Sequence, residues 1–175
     1  MKYLIYSALL IILLGLNSEL SAIFFSTPVR LNLLLYPVVF SALDSGNNDY
    51  LFMAFLSGLL LDFYNASPFG VWLFSFLLIG AFSSWTAKTF LVYKLDLKIL
   101  PVLVLAAYVL MAAMVLSFSK FFPGHELFSF QFYGSLKSFI ITAPVQMALG
   151  LPAYFLWLWV LRLVAKAQVK KLSLK

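Results

Sequence analysis

Six long apolar stretches, separated by short polar or proline-containing breaks, make up most of this 175-residue chain. Charged residues account for 10% of the sequence, whereas a water-soluble domain carries roughly 25%. Because so few charges cannot cover a water-facing surface, we predict an all-α, multi-pass membrane helix bundle of about six transmembrane helices. The stretches run from about Tyr3 to Leu20, Val29 to Leu43, Tyr50 to Tyr64, Pro68 to just before Lys88, Ile99 to Ser119, and Ser138 to Leu161.

The length of the chain leaves room for these spans and for no separate soluble domain. We therefore expect a single integral-membrane domain over residues 1–175, with a short basic tail from about Arg162. Residues 29–43 and 50–64 are short for spans, at about 15 residues each. They are predicted either to cross the membrane or to form a re-entrant hairpin that enters and leaves on one side.

The distribution of lysine and arginine predicts the orientation of the bundle. With six spans, nine of these residues fall on one side and three on the other, and the richer side is normally cytoplasmic. Both termini are therefore expected in the cytoplasm. The richer side has Lys2, Lys88, Lys94, Lys98, Arg162, Lys166, Lys170, Lys171 and Lys175; the other side has Arg30, Lys120 and Lys137.

Asp62 is a carboxylate inside the third apolar stretch, where a charge costs about 2.5–3.5 kcal/mol on insertion scales. Gly58 lies one helical turn earlier on the same face, which is typical of a surface that packs against protein. Ser67 and Pro68 are predicted as the N-cap and first residue of the next helix, with free N–H groups up to Gly70. Asp62 is interpreted as closing this helical hairpin, as contacting a ligand or partner, or as carrying protons.

The basic tail is predicted to be a juxtamembrane helix. Lysines beside an anionic leaflet attract its lipids, so anchoring is one interpretation and docking of a cytoplasmic protein is the other. The residues expected to meet anionic lipid are Arg162, Lys166, Lys170 and Lys171.

The sequence offers little support for catalysis. It has no recognisable nucleophile–base pair or phosphate-binding glycine loop, and no cysteine. His125 is the single histidine of the chain, so a metal site would lack ligands. We predict a protein that is not an enzyme and that uses no metal or cofactor and binds no nucleic acid.

The third and fourth stretches resemble the bacterial rod shape-determining MreD family. That family carries a glycine, an aspartate four residues on and a second glycine eight residues later, and this chain has Gly58, Asp62 and Gly70 at these spacings. Pro68 next to Phe69 also fits the pattern. The resemblance implies close packing at Gly58, a polar contact at Asp62, and turn geometry at Pro68 and Gly70.

Arg30 and Asn32 resemble the start of the second span in the same family, although the family often has proline where this chain has Leu31. The resemblance implies a scaffold of the cell-elongation machinery in the inner membrane. It would work with an MreC-like bitopic protein and the MreB-type cytoskeleton, directly or indirectly, to organise peptidoglycan synthesis.

A second hypothesis comes from another functional class. Substrate-capture subunits of energy-coupling-factor vitamin transporters are also six-span proteins of this size. They use stripes of small residues on the first span to meet a coupling subunit. Ser7, Ala8 and Gly15 form no regular stripe of this kind, which disfavours the alternative.

Overall fold

A computed structural model describes residues 2–23, 31–44, 48–64, 69–90, 100–121 and 136–172. All regular secondary structure in these ranges is helical, so the predicted all-α class is confirmed. The helices are α1 (Lys2–Ile23), α2 (Leu35–Leu43), α3 (Asp49–Tyr64), α4 (Val71–Phe90), α5 (Leu100–Phe121) and α6 (Leu136–Leu172).

Three of these helices are long and apolar enough to cross a membrane. Their candidate spans are Lys2–Leu20 in α1, Val71–Thr89 in α4 and Ile141–Lys166 in α6. The nine residues of α2 rise only about 13 Å, less than half of a hydrocarbon core of about 30 Å. Crossing by six helices and the cytoplasmic position of both termini therefore stay predictions.

The second apolar stretch differs most from its sequence-based expectation. Its helix begins only at Leu35, not near Val29, and all nine residues of α2 are buried. Leu31, Asn32 and Leu34 precede the helix and are buried as well. Hydrophobicity over this stretch therefore reflects burial in the centre of the bundle, where α2 packs against α3, α4, α5 and α6.

Contacts between helices show which ends lie together. The Lys2 ammonium is 2.8 Å from Asp49 Oδ2, and the Tyr64 hydroxyl donates to Ser18 Oγ at 2.8 Å. Because these contacts join the starts of α1 and α3 and then their later parts, the two helices run in the same direction. We call the end that carries Lys2 and Asp49 the basic end, and the end that carries Asp62 the hairpin end.

The last helix is longer than the sixth apolar stretch predicted. It continues through Pro144 and Pro152 to Leu172 and has 37 residues, about 55 Å at 1.5 Å per residue. Such a helix exceeds the thickness of the hydrocarbon core, and the candidate span within it is Ile141–Lys166. The basic tail is thus a continuation of α6 and not a separate segment.

Candidate functional site

The Asp62 carboxylate closes the start of α4. Its Oδ2 accepts hydrogen bonds from the backbone N–H groups of Gly70 (2.9 Å) and Leu73 (3.2 Å), and its Oδ1 accepts one from Trp72 N–H (2.9 Å). The first N–H groups of a helix lack intrahelical partners, and the helix dipole favours an anion there. Asp62 is 4% exposed, so water does little to stabilise its charge. The three backbone N–H groups compensate it instead.

The predicted N-cap was wrong in position. Helix α4 begins at Val71, and Gly70 precedes it with a φ of 97°, in the left-handed region that favours glycine. Such a backbone cannot belong to a helix that starts at Pro68, and the capping oxygen atoms come from Asp62 of the preceding helix. Ser67 and Pro68 themselves lie outside the described residues.

Gly58 allows the backbones of α3 and α4 to touch. A Cβ atom at this position would lie 2.8 Å from Leu73 N and 2.9 Å from Trp72 O, and would overlap Leu73 Cα. These are backbone atoms and cannot rotate away. Leu73 and Trp72 are also the residues whose N–H groups Asp62 binds, so Gly58 and Asp62 act on the same turn of α4.

A second buried polar site lies at the start of α2. The Asn32 N–H donates to Gln146 Oε1 at 3.3 Å, and Gln146 Nε2 donates to the Asn32 carbonyl at 2.8 Å. The next two N–H groups, of Leu33 and Leu34, donate to Asn17 Oδ1 (3.1 Å) and Asn32 Oδ1 (3.2 Å). Side chains of Asn17 in α1, Gln146 in α6 and Asn32 itself thus accept from backbone N–H groups that have no helical partners.

We call Asn17, Asn32 and Gln146 the amide cluster; all three are buried. The Tyr36 hydroxyl donates to the Gln146 carbonyl at 2.7 Å, which ties α2 to α6 a second time. Sequence reasoning selected Asn32 but missed Asn17 and Gln146. Both are amide residues inside apolar stretches, and such side chains commonly form hydrogen bonds between membrane helices. This pattern could have identified them.

The other predicted site residues are not brought to these two helix starts. Arg162 and Lys166 are exposed on α6, and Arg30 lies outside the described residues. The backbones of Lys170 and Lys171 belong to α6, while their side chains lie outside the described part of the chain. Asp49, the first residue of α3, pairs with Lys2.

The buried polar groups described above bind backbone and side chains of the same chain. Within the described ranges, no three His, Cys, Asp or Glu side chains are placed to hold a metal ion. The class defined by these observations is a helical membrane protein whose buried polar side chains hold helix ends together.

The chain matches the family model of the rod shape-determining protein MreD over residues 1–167, and it belongs to this family. The predicted resemblance is thereby confirmed. No curated protein and no solved structure matches the chain. Membership in the family makes this a membrane protein with a role in rod shape determination.

Proposed function

We propose that the protein is a non-catalytic, multi-pass scaffold of the cell-elongation machinery in the inner membrane. It would couple an MreC-like bitopic protein and the MreB-type cytoskeleton, directly or indirectly, to peptidoglycan synthesis. Family membership supports this role. The observation that carries the proposal is the packing of α3 against α4, in which Asp62 and Gly58 fix the first turn of α4.

The surface formed by the end of α3 and the residues just before α4 suits a protein partner. Phe63 is 72% exposed and Phe69 is 67% exposed, and their ring centroids lie 5.8 Å apart. Tyr64 is exposed beside them while its hydroxyl contacts Ser18. Aromatic side chains are common in the centres of protein interfaces. We assign partner contact to these aromatic residues, and to Asp62 the positioning of the start of α4 next to them.

This assignment separates closing of the hairpin from partner contact, two of the three roles that the sequence left open for Asp62. A buried carboxylate with three backbone donors has little capacity left for a partner. We therefore propose that Gly58, Asp62 and Gly70 act in helix packing. Their substitution would impair partner binding through the shape of the hairpin.

Capture of the bitopic partner from membranes tests the aromatic surface. The double variant Phe63→Ala/Phe69→Ala should accumulate normally. Less of the bitopic partner should be captured with it, and rod-shaped cells that carry it should become rounded. The matched control is Phe155→Ala, which removes an exposed phenylalanine of α6 instead. Partner recovery and cell shape equal to those of the control would contradict the proposed surface.

The orientation can be tested separately with reporter fusions. Fusions at Lys175 and near Asp96 should report cytoplasm, and fusions near Gly124 should report the outer side. The nine-to-three distribution of lysine and arginine supports this orientation. An active protein with a periplasmic C-terminus would overturn it.

The vitamin-transporter alternative predicts different results. Nanomolar binding of a vitamin-sized molecule, with normal cell shape on depletion, would support capture of a substrate in place of scaffolding. The cavity between α1, α2 and α6 is lined by Leu, Pro, Ala and aromatic side chains, an environment with few groups to recognise a polar vitamin.

A further inference from the structure

A cavity of about 260 Å³ lies between α1, α2 and α6. Leu13 and Leu16 line it from α1, Phe40 from α2, and Ala153, Leu156 and Trp157 from α6. Leu16 is 49% exposed and Leu156 is 45% exposed, so the cavity reaches the side of the bundle. We call it the lateral groove.

The lining of the lateral groove suits a thin, flexible, apolar occupant. A helix with its side chains is about 10–12 Å wide, and close packing between membrane helices relies on small residues. Ala153 is the one small residue among those that line the groove; the others are leucines, prolines and aromatic residues. This chemistry fits an acyl chain better than the helix of a partner protein.

An exposed track on α6 leads from the groove to positive charge. Pro152, Leu156, Trp159, Leu163 and Lys166 recur every three or four residues and therefore share one face of the helix. All five are exposed. Leu156 and Lys166 are separated along the axis by about 15 Å, a distance that an acyl chain of a phospholipid can span.

The charge at the end of this track determines the kind of lipid. Lys166 and Arg162 are exposed and lie four residues apart, so they are neighbours on α6. Gln146 and Asn17 both bind the start of α2, whereas Trp157 stacks on Tyr6 nearer the start of α1. Helix α6 therefore runs antiparallel to α1, and these two residues lie towards the basic end of the bundle. Basic residues beside the hydrocarbon core attract anionic headgroups. A zwitterionic lipid would fill the groove without using this charge.

We propose that the lateral groove binds one acyl chain of an anionic phospholipid whose phosphate contacts Lys166 and Arg162. The lipid would occupy the space between α1 and α6 and stabilise their packing around α2. This binding is independent of the scaffold function proposed above. It assigns to the basic end of α6 a defined lipid site in addition to general attraction to the membrane surface.

Native mass spectrometry of the purified full chain in non-ionic detergent tests occupancy of the groove. The probes are phosphatidylglycerol and phosphatidylcholine with the same acyl chains. The wild type should retain one phosphatidylglycerol in preference to phosphatidylcholine. Leu16→Trp should fill the groove and lower retention of both lipids severalfold, while Ile11→Trp, on another exposed face of α1, should not. Equal retention in the two variants would overturn the site.

The charge is tested with Lys166→Gln in the same assay. Loss of one lysine beside an anionic headgroup should weaken phosphatidylglycerol binding about fivefold and leave phosphatidylcholine unchanged. Lys88→Gln, which removes an exposed lysine of α4, is the matched control. An equal effect of both substitutions, or none from either, would overturn the headgroup contact.

A third measurement distinguishes lipid from protein without disturbing the packing. The chain has no cysteine, so Leu156→Cys provides a single thiol for a photo-crosslinker at the mouth of the groove. Crosslinking in cell membranes to phospholipid supports the proposal. Crosslinking to a partner protein would overturn it, because the groove would then be a protein interface.

Discussion

The starts of α4 and α2 both have backbone N–H groups without helical partners, but different side chains accept hydrogen bonds from them. Each begins among buried residues, where backbone N–H groups without partners are costly. At α4 a single carboxylate, eight residues before Gly70, accepts three hydrogen bonds. At α2 neutral amides from α1, α6 and the chain just before α2 share the task, and Asn32 and Gln146 are 114 residues apart.

The difference follows the surroundings of each start. Asp62 lies at the hairpin end, where Gly70 is partly exposed and three aligned N–H groups compensate the charge. The amide cluster is buried between helices, and neutral amides avoid the cost of placing a charge there. A charge is thus used where one helix start supplies all its partners, and amides are used where the partners come from several helices.

The largest effect is expected for Asp62→Leu, because it leaves the N–H groups of Gly70, Trp72 and Leu73 without an acceptor. At about 1–3 kcal/mol for each buried unpaired group, partly relieved by water near Gly70, the loss of stability should be about 3 kcal/mol or more. Unfolding by dodecyl sulfate in mixed micelles measures it.

Asp62→Asn is the matched control for that prediction. An amide keeps one acceptor oxygen, whereas the carboxylate uses both of its oxygens. The stability of Asp62→Asn should therefore fall between those of the wild type and Asp62→Leu. If the leucine variant unfolded like the wild type, the carboxylate would not be what closes α4.

Gly58→Ala should come next, with a loss of about 2–3 kcal/mol, the upper part of the range for overpacking. The added methyl group would overlap the backbone of Leu73, so α3 and α4 must separate. The same unfolding assay applies. Gly15→Ala is the control, since nothing lies within 4 Å of its Cβ position, and it should stabilise its helix by about 0.5–1 kcal/mol. Equal effects at the two glycines would contradict the close contact.

Gln146→Leu tests the amide cluster and should have a smaller effect than the changes at the hairpin. It removes two hydrogen bonds to Asn32, and hydrogen bonds between membrane helices are worth about 0.6 kcal/mol on average. The expected loss is therefore about 1–2 kcal/mol. Ser117→Ala removes an exposed bond within α5 and serves as the control. A loss of stability as large as that of Asp62→Leu would show that the amide cluster stabilises its helix start as much as the carboxylate does.

Lys2→Gln should have the smallest effect. It breaks the ion pair with Asp49 at the start of α3, a partly exposed contact, and such pairs contribute up to about 1 kcal/mol. The loss should shrink further in high salt, because salt screens exposed charges. Unfolding at low and high salt, with Lys88→Gln as the reference, measures this. A salt-independent loss above that limit would place Lys2 among the buried polar contacts.

The sequence predicted the contact of Gly58 and Asp62 with the start of α4 better than it predicted the amide cluster. The Gly58, Asp62 and Gly70 spacing is local, so the residues that meet in the structure are close in the chain. Even there the predicted start of α4 was wrong by three residues. Ser67 and Pro68 match a local helix-start signal, whereas α4 begins at Val71, where Asp62 accepts its hydrogen bonds. Asn17 and Gln146 lie on different helices, and their meeting depends on how α1 and α6 pack around α2.

Composition, spacing and charge were sufficient for the all-α class, the membrane environment and the family, because these depend on local sequence. The tertiary structure alone decided that α2 is a short buried helix, that three amides meet at its start, and that a groove opens between α1 and α6. The physical reason is that an apolar stretch is favourable both against lipid and inside a bundle. Hydrophobicity cannot tell these two environments apart, and only the contacts between helices do so.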